Sequence, residues 1–166
     1  MNKSKDLIKK VEKYIRKPQY GLPEEIFLFL TRINPMINVD LLIKNKKKQT
    51  LLVWRKKGEK YEEGWHIPGG IIRFKETIKK RIHETAKNEL GSKVIYKKQP
   101  IFYNEIHLKQ KNRSHFISLL FECKIITGPR KDFEYIKGKP KVGQWKWHDK
   151  CPKNLIKPHR NYRNFI

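Results

Sequence analysis

The chain is 166 residues long with a formal net charge of +24, long enough for one real hydrophobic core and short for two ordinary domains. No apolar run approaches the roughly 20 residues of a membrane-spanning helix, so no membrane partner is expected. The charge is carried by 31 Lys against 9 Arg, spread along the chain rather than clustered, which reads as a solvated lysine coat that favours phosphorylated ligands and carries no motif for specific nucleic acid.

In chain order, residues 4–16 read as a basic amphipathic helix with Leu7, Ile8, Val11, Tyr14 and Ile15 on one side. Its charges recur every few residues and leave no apolar stretch of the signal-peptide kind. Two prolines and a glycine between Lys17 and Pro23 break it. Pro23-Glu24-Glu25 opens a second helix, with proline and acids in its first turn, that runs to about Arg32 and stops before Pro35. Ile37 to Ile43 reads as a strand, Lys44 to Gln49 as a polar turn, and Thr50 to Trp54 as a strand pairing back in a hairpin. Asp40 interrupts the first strand, as an edge or bulge residue or as one that faces a ligand. Arg55 leaves the second, as a surface arginine beside two lysines or as a phosphate clamp through charge-assisted bonds.

Lys56 to Glu63 is a charged loop. Trp65-His66-Ile67-Pro68 is strand-like, and the chain then turns on Gly69-Gly70. In the helix that follows, Ile78, Ile82, Ala86 and Leu90 recur every four residues as a core-facing stripe. Gly91 stands where a left-handed helix stop is expected. Lys93 to Lys109 holds strand material with His107 inside it, and Ser114 to Ile125 is a continuous, buried strand. Gly128 to Val142 is a polar loop, and Gly143 to His148 a last strand bearing Trp145 and Trp147. A short helical tail from Cys151 carries Leu155, Tyr162 and Phe165. Cys123 and Cys151 match no metal spacing, and a cytoplasmic location is the default. The pattern predicts an α/β fold with a mixed sheet between helices.

One residue does not fit a plain core helix. Glu89 lies seven positions after Ile82, about two turns on, and shares the inward face with Thr85. An inward carboxylate needs a cation. Either Glu89 holds a hard divalent ion with carbonyl oxygens of the Gly69-Gly70 turn, or it swings to the surface and pairs with a lysine.

The spacing Gly70, five residues, Glu76, then a helix with Glu89 two residues before Gly91 resembles the Nudix box, G-x5-E-x7-R-E-U-x-E-E-x-G-U, with U aliphatic. Gly70, Glu76, Ala86, Glu89 and Gly91 match in register. Glu84 stands at the Arg position, Thr85 and Asn88 at two of the helix Glu positions, and Ser92 at the closing aliphatic. With the preceding W-x-x-P-G-G, the segment is most similar to the modified box of GDP-mannose mannosyl hydrolases, whose carboxylate set is also reduced to one ligand Glu near the helix end. The resemblance extends from Asp40 through Arg55 to His107.

It implies a Nudix-type α/β/α sandwich over residues 36–166, with residues 1–35 as an N-terminal helical extension that supports a homodimer. It also implies Mg²⁺- or Mn²⁺-dependent hydrolysis of a nucleotide-sugar such as GDP-mannose or GDP-glucose. In that reading Glu89 and the Gly69 carbonyl hold the metal, Arg55 binds phosphate, Asp40 faces the sugar side, and Glu76 braces the loop and helix. A lone His in a strand is ordinarily structural; the resemblance makes His107 a catalytic candidate. The subfamily's Arg directly after Gly-Gly is Ile71 here, with Arg73 two residues on as a substrate-binding candidate. Its general-base His belongs in the 128–142 loop, which has none; Asp132, Glu134, Tyr135 and Gln144 remain as polar candidates near it. Attack at sugar carbon and attack at phosphorus both stay open.

Overall fold

The computed structural model describes residues 3–58 and 62–166. Glu59, Lys60 and Tyr61 of the expected charged loop lie outside the described residues. Helix α1 spans Lys3–Glu12, and the chain leaves it in a turn closed by Tyr14 N–H to Val11 C=O and Ile15 N–H to Glu12 C=O, so it ends earlier than the 4–16 pattern suggests. It buries none of its side chains. Helix α2 covers Glu24–Leu30.

The strands are β1 (Met36–Ile43), β2 (Thr50–Arg55), β3 (Gly64–His66), β4 (Gly69–Ile71), β5 (Lys93–Tyr96), β6 (Ile101–Ile106), β7 (His115–Thr127) and β8 (Trp145–His148). They form a mixed sheet in the order β4-β1-β7-β5, with β6 on the other half of the long strand β7, and a second sheet β3-β2-β8. The pairing of β1 with β7 is parallel and that of β1 with β4 antiparallel.

This corrects the expected hairpin. β1 and β2 meet only at an isolated bridge from Lys44 to Thr50 and otherwise pair in different sheets. Both are nearly continuous runs of buried side chains. A strand apolar on both faces needs a layer packed on each, here the Ile78–Leu90 helix on one side and the C-terminal stretch on the other, which an isolated two-stranded hairpin does not have. The Gly69-Gly70 turn is likewise extended: it forms β4, with Gly69 opposite Asp40.

Side chains of successive strand residues divide the core into two faces. Val39, Leu41, Ile43, Leu51, Val53, Leu119 and Phe121 pack on one side, where helix α3 (Ile78–Leu90) covers them with Ile82, Ala86 and Leu90. Leu42, Leu52, Trp54 and Leu120 point the other way, against Leu155 and Tyr162 of the C-terminal stretch. Helix, sheet layer and C-terminal cover make the three layers of the expected sandwich, although the cover is a 3-10 segment, Lys157–Phe165. The Thr77 hydroxyl caps α3 by accepting from Lys80 N–H at 3.1 Å. Gly91 ends it at φ 64, a left-handed conformation that suits glycine. Ile78, read as part of the core stripe, is exposed in the first turn. No helix among the described residues is long and apolar enough to cross a membrane.

Candidate active site

Asn38 and Asp40 share the β1 face that lies under the C-terminal stretch. Asp40 is buried, and its Oδ2 accepts from the Tyr162 hydroxyl at 2.6 Å and from Asn38 Nδ2 at 2.9 Å. Ser118 on the neighbouring strand donates to Asn38 Oδ1 at 2.9 Å and orients that amide. Burial pushes the Asp40 carboxyl up to about 7; the two hydrogen bonds oppose this, while the charges of Glu105 and Glu89 add to it. Gly69 sits across from Asp40 because no side chain fits there: a Cβ would collide with Asp40 Oδ1.

Gly70 is constrained from the helix side. A Cβ on it would lie 2.7 Å from Thr85 Oγ1 and 3.0 Å from Arg81 Cδ. Thr85 is buried and its hydroxyl has no hydrogen-bond partner among the described residues. The pair of glycines therefore lets β4 pass between β1 and α3, which brings the end of α3 to the edge of the sheet.

The two box carboxylates that remain do different things. Glu76 is enclosed: it accepts from Arg73 N–H at 3.0 Å and from Arg81 Nε and Nη2 at 2.8 Å each. Burial raises its carboxyl, but the Arg73 amide and the Arg81 guanidinium outweigh that and hold it below its ordinary value. Glu89 points at the β3–β4 connection. Its Oε1 accepts from Gly69 N–H at 3.0 Å, and its Oε2 lies 3.2 Å from His66 Nε2. Its side chain keeps 25% exposure. It thus meets the Gly69 amide rather than a lysine at the surface.

A cavity of about 1010 Å³ opens in front of these groups. Asp40, Arg55, Gly69, Arg73 and Glu89 all border it, with His66, Arg81, Glu105, His159 and Tyr162. Leu22, Phe27 and Leu30 of the N-terminal extension, with Met36 at the start of β1, give it an apolar wall. His107 is placed apart. It falls in the turn after β6, not inside a strand, does not line the cavity, and reaches it only through Glu105, 3.8 Å from its Nε2. Burial and the charge of Lys157 keep its pKa low, which disfavours an ion pair there.

The groups that sequence reasoning missed come from outside the box. His66 is the second residue of W-x-x-P-G-G and was read only as strand. Glu105 is buried on β6, with its carboxyl raised by burial and partly offset by Asn161. His159, Asn161 and Tyr162 lie on the tail, where Tyr162 was read only as apolar. The one available signal was the clustering of His, Asn and Tyr in an otherwise basic tail.

The donor set suits a particular kind of metal binding. Among the described residues no group of three or more His, Cys, Asp or Glu side chains could hold an ion. One carboxylate beside a backbone segment fits Mg²⁺ or Mn²⁺ that arrives chelated by substrate phosphates, the common mode for magnesium, and not an all-protein cage.

No family model matches the chain. It is similar to the low-salt glycan biosynthesis protein Agl8 of Haloferax volcanii, 24% identical over 110 residues that cover 64% of this chain and 69% of that protein. Among solved structures it resembles a MutT Nudix hydrolase from Burkholderia pseudomallei, with a TM-score of 0.56 and 17% identity, covering 80% of this chain and 98% of the other. It also resembles a Nudix hydrolase from Nitrosomonas europaea, with a TM-score of 0.53, 15% identity and coverage of 69% and 72%. For a MutT protein from Methanosarcina mazei Go1 the TM-score is 0.52 at 20% identity, with 70% and 78% covered. At such identities the likeness is one of fold, and the chain has the Nudix fold.

Proposed function

With the Nudix fold as premise, we propose that the chain hydrolyses a nucleoside diphosphate linked to a sugar in a divalent-metal-dependent reaction, with GDP-mannose and GDP-glucose as leading substrates. The observation that carries this reading is the Glu89 carboxylate, held by the last turn of α3 against the Gly69 amide at the edge of a cavity that also presents Arg55 and Arg73. A bound magnesium or manganese ion neutralises the diphosphate and stabilises it as a leaving group; Glu89 and the Gly69 carbonyl would hold it. Arg55 and Arg73 take the phosphate oxygens, and charge complementarity orients the diphosphate toward Glu89. Asp40 faces the sugar, its carboxyl kept partly protonated near neutrality by burial. Glu76 and Arg81 fix the approach of β4 to α3 and touch no reacting atom. The likeness to a glycan biosynthesis protein supports a sugar-linked substrate.

A second reading, a non-catalytic Nudix-like module that binds a nucleotide or RNA, is favoured by Thr85 and Asn88 at box positions that ordinarily carry Glu. One experiment separates the two. The protein is incubated with a panel of nucleotide-sugars and Mg²⁺ in ¹⁸O-water, and the products are resolved by mass. Release of nucleoside diphosphate with label on the sugar marks attack at carbon. Nucleoside monophosphate and sugar phosphate, with label on phosphate, mark an ordinary pyrophosphohydrolase. Nucleotide binding with no turnover of any panel member supports the module and contradicts hydrolysis.

A further inference from the structure

Two side chains of the C-terminal segment, His159 and Tyr162, line the cavity, and a third, Asn161, reaches it through Glu105; Tyr162 and Asn161 are engaged with carboxylates. The Tyr162 hydroxyl donates to Asp40 Oδ2 at 2.6 Å, and Asn161 Nδ2 donates to Glu105 Oε1 at 3.1 Å. His159 is different. Its Nδ1 accepts the Ile67 N–H at 3.0 Å. An imidazole nitrogen that accepts a hydrogen bond carries no proton, so the neutral ring bears its proton on Nε2. Nε2 has no hydrogen-bond partner among the described residues, and the ring borders the cavity beside His66, with centroids 6.0 Å apart.

With no His in the 128–142 loop, where the resemblance puts a general base, the obvious role for His159 is that base. The hydrogen bond to Ile67 argues against it. A base must present a lone pair to the substrate, and the lone pair of this ring is turned into the wall. Moving the proton to Nδ1 would set two donors, Nδ1–H and the Ile67 amide, against each other. We infer that His159 is instead a neutral donor of fixed tautomer whose Nε2–H binds a phosphate oxygen of the ligand. His66 on β3, Arg55 on β2 and the Tyr162 ring, its centroid 5.5 Å away, lie beside the ring; burial first, then His66 and Arg55, hold its pKa well below the ordinary value and keep it neutral. An N–H that is only a donor calls for an acceptor, and the arginines of this cavity recruit phosphate oxygens. A neutral imidazole that donates has a precedent in enzymes where a lowered pKa turns histidine into an electrophile.

The phosphate assignment rests on the diphosphate reading of the cavity; the tautomer does not. The first measurement is ¹⁵N NMR of the histidine rings, with His159 assigned by its loss in His159→Gln. The expected signature is a protonated Nε2 and bare Nδ1, unchanged between about pH 5.5 and 8.5. A protonated Nδ1, or conversion to the cation in that range, overturns the inference. The second is calorimetric binding of inorganic pyrophosphate with Mg²⁺, a probe with no base or sugar. His159→Asn keeps an acceptor near Nδ1 and deletes the donor, so it should weaken binding about tenfold or more at unchanged melting temperature. His159→Gln places an amide donor near Nε2 and should recover much of that loss. Wild-type affinity in His159→Asn with loss in His159→Gln would make the residue a brace for Ile67 and sink the proposal, as would a wild-type protein that does not bind pyrophosphate. Binding in this pattern without turnover of any nucleotide-sugar would uphold the donor and contradict hydrolysis alone.

Discussion

Helix α1 and the C-terminal 3-10 segment are the two ends of the chain, and they contribute unequally. α1 is regular and amphipathic, yet Leu7 and Ile8 stay 61% and 59% exposed. The C-terminal segment has no α-helix, yet it buries Tyr162 completely and ties itself to β1, to β6 and to the β3–β4 connection. The difference is one of counterparts. An apolar stripe stabilises only what it can be buried against. Among the described residues α1 has no opposing surface, and the expected homodimer is the proposed cover for it. The C-terminal segment lies on a sheet face whose apolar part takes Leu155 and Tyr162 and whose polar end takes His159 and Asn161.

Stability measurements can break that comparison. Tyr162→Ala removes a fully buried aromatic and leaves Asp40 without its hydroxyl donor, and it should cost about 3–5 kcal/mol in denaturant unfolding. Leu7→Ala should stay within about 0.5 kcal/mol in the monomer. Comparable losses at the two ends would contradict the account. Within the box, Glu76→Gln breaks a buried pair with Arg81 and should cost about 3 kcal/mol, whereas Glu89→Gln should leave stability unchanged or slightly raised.

A pH-dependent effect sharpens the role of the C-terminal cover. The folded Asp40 carboxyl, at about 7 instead of 3.8, binds its proton more tightly than the unfolded one. Its contribution is therefore complete below the unfolded carboxylate range and is lost as pH rises through about 7. Asp40→Asn should gain stability relative to wild type between about pH 4 and 7 and hold that gain above it. A difference independent of pH would show that Asp40 is not held in the buried state described.

The sequence made the box helix legible because a four-residue apolar recurrence, a glycine stop and a fixed spacing all act locally. Phase put Glu89 on the inward face but left it open between the Gly69-Gly70 turn and a surface lysine, and the structure sets it against the Gly69 amide. Strand partners were not legible. The apolar runs of β1 and β2 look the same whether two strands pair with each other or each lies at the centre of a different sheet, and only long-range packing decides. His107 shows the limit of reading position from likeness: its place beyond the end of β6 depends on where that strand stops. His159 and Tyr162 were invisible as site residues, because a 3-10 segment has little periodicity and its polar contacts join residues as far apart as Asp40 and Tyr162.

The central claim is that Glu89 is the one charged helix ligand at a metal-dependent hydrolytic site. The most direct test measures wild type, Glu89→Gln and Glu84→Gln on the best nucleotide-sugar across a Mg²⁺ titration. Thr85 and Asn88 are neutral, so no neighbouring carboxylate replaces Glu89. Glu89→Gln should lose on the order of a hundredfold or more in rate, a few kcal/mol of transition-state stabilisation, with the fold intact. Glu84 lies about 140° away round the helix by its 3.6-residue period, and Glu84→Gln should change little. Near-normal activity of Glu89→Gln at limiting Mg²⁺, or greater damage from Glu84→Gln, would contradict the assignment.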